Sequence, residues 1–368
     1  MPVSNRNLRK RLAKQSGLAM VTVLWAIAVL SIMAGSFSLS LQRDNRLVKF
    51  NEDRAKGAAL ADAAVHYAAL KVIRDSSAAS MGGRAGGLDG LETGRWRTDG
   101  FPCQITDLPA GQAEVRIFDE AGKVNLNALA DPGGAGLPTL KTLLAQVFDG
   151  DQDRADRFAD AILDWTDQDE FTRPNGAEAE DYQRADKGYV PQNRKFEALE
   201  ELLMVMVDKD SGETLAPKHY KRLEPLLTVY AAGGQGVNIN KASRQVLSSL
   251  PLQCMDSGSA LQHWQMRGEN CMETPQLKQQ GLASQPVSQL TGQQAGGVQC
   301  AQGNGPPQVF TVYASARTEE GLVTTVRAVI SRRQNVENNG SPFTFLSWKQ
   351  LPSAIVDEVE SDRGVITQ

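Results

Sequence analysis

The chain has 368 residues, with 43 acidic side chains against 39 basic ones and a formal charge of −4. The length leaves room for two domains beyond any membrane segment, while the charge balance excludes the global basic field that holds nucleic acid. Only 6% of residues are aromatic, three are histidine, and neither a G-x-S-x-G elbow nor a phosphate-binding G-x-x-x-x-G-K-[ST] loop occurs, so no enzyme is expected.

The start of the chain carries the strongest signal. Arg6, Arg9, Lys10, Arg11 and Lys14 come first, with no acid among them, and Leu18 to Leu41 then runs without a charge. About 20 apolar residues cross a bilayer core. The hydroxyls in this run (Thr22, Ser31, Ser36, Ser38, Ser40) can bond back to the main chain of a helix. The positive-inside rule keeps the N-terminus cytoplasmic and sends the rest outward, to the periplasmic side of an inner membrane. A secretory signal peptide has its cleavage site after the apolar run. Here Ser16-Gly17-Leu18 lies before it, so cutting between Gly17 and Leu18 removes only leader residues 1–17 and leaves the helix in place. An uncleaved signal anchor has the same charge bias. The order of leader, cleavage point and apolar run resembles the class III signal of type IV pilins and type II secretion pseudopilins.

From Gln42 to Asp75 the sequence turns polar but keeps a stripe at Leu47, Phe50, Ala58, Ala61, Val65, Ala68 and Val72, so one helix is expected over residues 18–75. Residues 76–94 are rich in Gly and Ser and read as a loop. Gly111 to Asp119 alternates like a half-buried strand, followed by a turn over Asp119 to Lys123. Val124-Asn125-Leu126-Asn127-Ala128 recurs as Val237-Asn238-Ile239-Asn240-Lys241-Ala242, each with Asn placed to cap a following helix. Helical patterns follow at Leu140 to Val147, Ala155 to Trp165, Phe196 to Val207, Tyr220 to Tyr230 and Val246 to Leu250, and Thr274 to Pro307 is a Gln/Gly-rich linker. Gln308 to Ala316 and Leu322 to Ile330 then read as a hairpin, with a last strand at Phe343 to Leu351. The expected organisation is an α+β unit (residues 76–123 and 307–351) interrupted by a mostly helical domain (124–306), with a polar tail over 352–368.

The densest chemistry lies in Asp164 to Tyr182. Asp164, Asp167, Asp169, Asn175, Glu178, Glu180 and Asp181 are candidate ligands of a calcium ion, which takes six to eight oxygens in flexible geometry. A solvated acidic loop is the alternative. A glycosidase carboxylate pair lacks an aromatic sugar platform. A DNA-binding helical hairpin lacks its Gly-hydrophobic-Gly turn, and the block is acidic. Four cysteines occur, too widely spaced for a zinc site. Outside the cytoplasm they can pair, and at least one bridge is expected among Cys254, Cys271 and Cys300, its connectivity open.

Together these features resemble the minor pseudopilin K family of type II secretion systems, over most of the chain. The resemblance rests on the start at Gly17 to Trp25 and on three internal stretches: Gly122 to Asn127, Asp164-Trp165 with Asn175 to Glu178, and Val237 to Ser243. It implies a pilin-like fold, a long N-terminal helix packed on a small antiparallel sheet, with a large helical insertion between strands. It also implies cleavage by prepilin peptidase and N-methylation of Leu18, anchoring in inner-membrane lipid, calcium in the inserted domain, and a fibre-tip complex with minor pseudopilins I and J. The fifth residue after the cleavage point is Thr22, where most pilins carry Glu. A subunit with none above it has no neighbouring amine to neutralise, so the missing acid implies the tip. A type IV pilus minor pilin and a static membrane-anchored binding module are the alternatives.

Overall fold

The structure, a computed structural model, describes residues 6–80, 96–109, 111–131, 133, 136–230, 236–250, 252, 257–267, 270–271, 298, 300–301, 307–333 and 341–351. The chain divides into two units, Met1–Gly57 and Ala58–Gln368. Helix α1 (Arg6–Ser80) supplies all the described residues of the first unit. Every residue from Met20 to Phe50 is exposed there. Ser31 Oγ donates to the Ile27 carbonyl (2.7 Å) and Ser36 Oγ to that of Met33 (2.9 Å). A helix in hydrocarbon must satisfy its hydroxyls in this internal way.

In the second unit α1 runs on to Ser80, past the expected end at Asp75. The first residues of the expected loop, Ser-Ser-Ala-Ala-Ser, include two alanines, which sustain a helix. Residues 81–95 lie outside the description. Strands β1 (Cys103–Leu108) and β2 (Gly111–Asp119) follow. The inserted region holds β3 (Val124–Asn125), α2 (Leu126–Leu129), α3 (Leu137–Val147), α4 (Gln152–Thr166), α5 (Ala179–Arg184), β4 (Met206–Asp208), β5 (Glu213–Thr214) and α6 (Pro217–Leu223). It continues with β6 (Leu227–Thr228), β7 (Val237–Asn238), α7 (Arg244–Ser249), α8 (Ser257–Gln265) and β8 (Cys300–Ala301). The chain then returns through β9 (Val309–Thr318), β10 (Val323–Arg332) and β11 (Phe343–Leu351).

An antiparallel sheet in the order β1-β2-β9-β10-β11 forms the pilin-like part. β2 and β9 are direct neighbours, with Gly111 opposite Thr318 and Asp119 opposite Phe310. The insertion therefore leaves and rejoins the sheet at adjacent positions. One face of the sheet, including Val115, Ile117, Val312, Ala314, Ala328 and Ile330, packs on Ala61, Ala64, Val65, Ala68 and Val72 of α1. Most of these helix residues are alanines, buried against the strands, and their small side chains suit a closely packed helix–sheet contact. β1 was not anticipated, although Cys103 and Ile105 are buried and Gln104 and Thr106 exposed, an alternation only four residues long.

A second core fills the insertion, from Val124 and Leu126 through Phe158, Ile162, Trp165 and Tyr182 to Val246 and Leu252. The sequence repeat is also a structural one. β3 pairs in parallel with β6, and β7 in parallel with β8. Asn125 Oδ1 accepts from the Asn127 N–H (3.0 Å), and Asn238 Oδ1 from the Asn240 N–H (3.1 Å). Only the first Asn caps a helix, however. In the second copy Ser243 Oγ does so, accepting from Val246 N–H at 3.2 Å. Gly122 lies against the second copy: a Cβ there would stand 2.5 Å from the Lys241 carbonyl oxygen. Two expected helices are shorter than their patterns. Phe196 to Val207 yields one 3-10 stretch, Leu199–Leu203, before β4, and Tyr220 to Tyr230 yields the end of α6 before β6. In both, the later apolar residues pair as strands instead of continuing the helix.

Sheet and insertion meet across a charged, buried seam. Glu120 bonds Lys123 Nζ (2.9 Å) and Thr311 Oγ1 (2.6 Å). Arg97 holds Asp99 through both carboxylate oxygens (3.0 and 2.6 Å), and Arg267 reaches Asp99 (2.9 Å), the Ala242 carbonyl (2.8 Å) and that of Ile239. Arg327 on β10 meets Glu200 and Glu224, each at 3.2 Å. Of the expected cysteine trio, Cys271 finds its partner outside the three. Cys271 pairs with Cys103 on β1, 168 residues away, their Cα atoms 5.4 Å apart. Arg97 N–H also bonds the Cys271 carbonyl (2.9 Å), and no sequence spacing reveals such a contact. Cys300 is also disulfide-bonded, and Cys254 lies outside the described residues.

Burial alone raises the pKa values of Asp99 and Glu120, but the facing cations and hydrogen bonds outweigh it and hold both below the usual carboxylate range. Their stabilisation is therefore complete at neutral pH and is lost as pH falls through those depressed values. Glu120→Ala leaves Lys123 buried and unpaired, and should cost about 3–5 kcal/mol. Thermal unfolding at pH 7 checks this, and the deficit should shrink below pH 4.

Candidate functional site

Helix α4 carries acids on a face that packing buries. Asp160, Asp164 and Asp167 are spaced by four and three residues, so they share one side of the helix and its C-terminal cap. All three are buried, Asp164 completely. The chain then passes through an exposed loop and returns at Gly176, whose backbone presses on Asp164: a Cβ at Gly176 would lie 1.9 Å from Asp164 Oδ2. Only glycine lets the strand of backbone pass there. Two residues later Glu178, 3% exposed, enters the same space ahead of α5.

Of the expected ligands, Asp164, Asp167 and Glu178 are brought together. Arg173 is the cation beside them. Its Nε stands 3.2 Å from Asp164 Oδ1, its Nη2 3.3 Å from Asp167 Oδ2, and its backbone N–H donates to Asp164 Oδ2 at 3.1 Å. The remaining four candidates are engaged elsewhere. Asn175 donates to Asp160 Oδ2 (3.0 Å), and Asp169 Oδ1 accepts from the Phe171 N–H (2.9 Å). Glu180 pairs with Arg184 on the surface, and Asp181 accepts from the Glu178 N–H (3.1 Å) and from Arg184 (2.9 Å). Sequence reading passed over Asp160 and Glu170, which add charge to the cluster. A charged residue at helical spacing on an otherwise apolar face is the signal that marks Asp160.

The cluster is electrostatically unsatisfied. Asp164 Oδ1, Asp167 Oδ1 and both carboxylate oxygens of Glu178 are buried without a hydrogen bond. Buried polar groups are ordinarily bonded, so four such oxygens in one place demand a partner. Burial, then the charges of Asp164, Asp167, Glu170 and Asp169, pushes Glu178 up to about 8. Burial also pushes Asp164 up to about 7, with Asp167 and Asp160 adding to it and Arg173 opposing, and Asp167 is raised as well. Among the described residues no three His, Cys, Asp or Glu side chains are drawn into ligating positions. The donors are nevertheless hard oxygens carrying excess negative charge, the chemistry that suits calcium.

The second site is the membrane segment. Gly17 and Leu18 lie within α1, and Thr22 is exposed on it. Among the described residues one helix, near the N-terminus, is long and apolar enough to cross a membrane, and none of its most apolar stretch is buried. That composition fits a single-pass anchor.

A carboxylate with a raised pKa destabilises the fold as pH climbs from its ordinary value to the raised one. Glu178→Gln should therefore stabilise the protein in chelator at pH 8 and change little at pH 5. Melting curves at the two pH values check the sign.

Comparison with known proteins agrees with the architecture. Residues 122–232 match the family described as type II secretion system (T2SS), protein K. Type II secretion system protein K of Pseudomonas aeruginosa (strain PAO1) is 26% identical over 244 residues, 64% of this chain and 68% of that protein. The protein of the same name from Klebsiella pneumoniae is 25% identical over 237 residues, 62% of this chain and 66% of its own. One chain of the crystal structure of the GspK-GspI-GspJ complex from the enterotoxigenic Escherichia coli type 2 secretion system shares the fold. Its TM-score is 0.50 at 20% identity, and the match covers 82% of this chain and all of that one. The chain is thus similar to type II secretion system protein K over residues 122–232 of its inserted region and, at 25–26% identity, over 62–64% of its length.

Proposed function

We propose that this chain is the minor pseudopilin K of a type II secretion system, placed at the tip of the pseudopilus with minor pseudopilins I and J. The observation that carries the reading is the combination in one chain of an uncovered apolar helix continuing into a pilin-like sheet, and a protein K domain inserted between β2 and β9. The related fold in a GspK-GspI-GspJ complex supports I and J as partners. Prepilin peptidase removes residues 1–17, the new amine on Leu18 is methylated, and the protein waits in inner-membrane lipid with its second unit in the periplasm. The neutral Thr22 supports the tip position, because no subunit above presents an amine for an acid to pair with. The fibre beneath then helps move folded substrates outward.

Asp164, Asp167 and Glu178 would hold a calcium ion in the inserted domain, with Asp160 and Glu170 adding negative field. The bound ion would supply positive charge to oxygens that the fold leaves unbonded. Its removal would return their mutual repulsion to the loop.

Mass spectrometry of the mature protein tests the assembly reading. It should show Leu18 as a methylated N-terminus and, for Gly17→Ala, an intact leader with loss of secretion. An unprocessed wild-type chain in secreting cells would sink the proposal. Chelation should lower the melting temperature, since a ligand at 100 times its Kd stabilises by about 2.7 kcal/mol. Calcium binding should also strengthen between pH 6 and 8, because the ion must displace the protons that Asp164 and Glu178 retain.

A further inference from the structure

Arg173 lies where a divalent cation would compete with it. Its guanidinium leans on Asp164 and Asp167, two of the three buried carboxylates, and these contacts leave Glu178 unbonded. Arg173 Nε itself forms no hydrogen bond of good geometry despite its nearness to Asp164. The guanidinium is thus held by one long hydrogen bond, from Nη2 to Asp167 (3.3 Å), and by its charge beside Asp164. Its side chain is 32% exposed, whereas those of Asp164 and Asp167 are 0% and 7%. The arginine thus borders water, and the two carboxylates are enclosed by the fold. The loop does not depend on the guanidinium alone for its path. Arg173 N–H bonds Asp164, Gly176 N–H bonds the Arg173 carbonyl (3.0 Å), and Asn175 bonds Asp160.

We propose that Arg173 is an internal stand-in for the metal: it holds Asp164 and Asp167 in the metal-free protein, and calcium binds by displacing its guanidinium into solvent. Arg173 therefore sets the calcium affinity from outside the ligand set. One positive charge satisfies two carboxylates in part. A doubly charged ion of small radius satisfies three, and Glu178 gains a partner only on the exchange. This rests on the calcium reading above.

The test is calcium titration of the full chain in detergent by calorimetry, with wild type, Arg173→Gln and Arg173→Lys. Arg173→Gln removes the competing charge and should lower the Kd about tenfold, the equivalent of about 1.4 kcal/mol. Its melting temperature in chelator should fall below wild type, and calcium should raise it by more than it raises wild type. Arg173→Lys, which keeps the charge on a shorter stem, should lie between the two, and it carries the comparison if the glutamine variant does not fold in chelator. Calcium binding by Arg173→Gln with none by wild type would support the inference in its strongest form. Wild-type binding with equal or weaker binding by Arg173→Gln would overturn it and leave the calcium reading standing. Absence of calcium binding by all three proteins would overturn both.

Discussion

The pairing of β2 with β9 is the constraint on which the rest of the second unit depends. These two strands form the centre of the five-stranded sheet, between β1 on one side and β10 with β11 on the other. Their register, from Gly111 opposite Thr318 to Asp119 opposite Phe310, settles which residues face α1. A one-residue slip would turn Val115, Ile117, Val312 and Ala314 away from the helix and bring charged or aromatic side chains onto it. The same register sets the two ends of the insertion side by side. Its orientation is then held by the seam of Glu120, Asp99 and Arg327 and by the Cys103–Cys271 bridge.

The seam and the acidic cluster apply one electrostatic rule with opposite results. At the seam each buried carboxylate faces a cation and one or more hydroxyls or guanidinium donors, so its charge is retained. Such pairs add little net stability compared with apolar packing, but they penalise any other alignment, because a shifted partner leaves a bare charge in the interior. In the acidic cluster one arginine serves two of three buried carboxylates, Asp164 and Asp167, and Glu178 has no hydrogen bond. Burial and mutual repulsion there raise the pKa values of Asp164, Asp167 and Glu178. The seam fixes how the insertion sits on the sheet, while the cluster leaves buried carboxylate oxygens unbonded in the insertion's acidic loop.

Much of this was readable in the residues. The membrane run, the α1 stripe, β2, the final strands and α4 all follow from periodicities long enough to be distinctive. The repeat at Val124 and Val237 reads as two Asn caps, of which only the first caps a helix, and the parallel pairings that both copies make come from the fold. What escaped reading was short or non-local. β1 alternates over four residues, and β4 and β6 are a few residues each, their strand character conferred by partners distant in sequence. The acidic stretch announced its charge but not its sorting. Whether Glu178 or Glu180 points inward depends on the path of the chain past Gly176, and Asp160 belongs to the cluster only because α4 is buried on that side. Cys103 and Cys271 became partners through the placement of α8, which tertiary packing decides.

The adjacency of Asp119 and Phe310 bears on the order in which the molecule forms. The central strand pair of the sheet can zip only after both ends of the insertion have been brought together. Closing so long a loop while it is still unstructured carries a substantial entropic cost, and the cost falls away once the loop is a folded body with its ends already side by side. The helical insertion, rich in contacts local in sequence, is the part suited to form early. The sheet and its packing against α1 would then be completed last. A chain emerging N-terminus first would hold the apolar face of α1 unfinished until β9 to β11 arrived, so the time during which that face stays open is governed by the folding of the domain that separates β2 from β9.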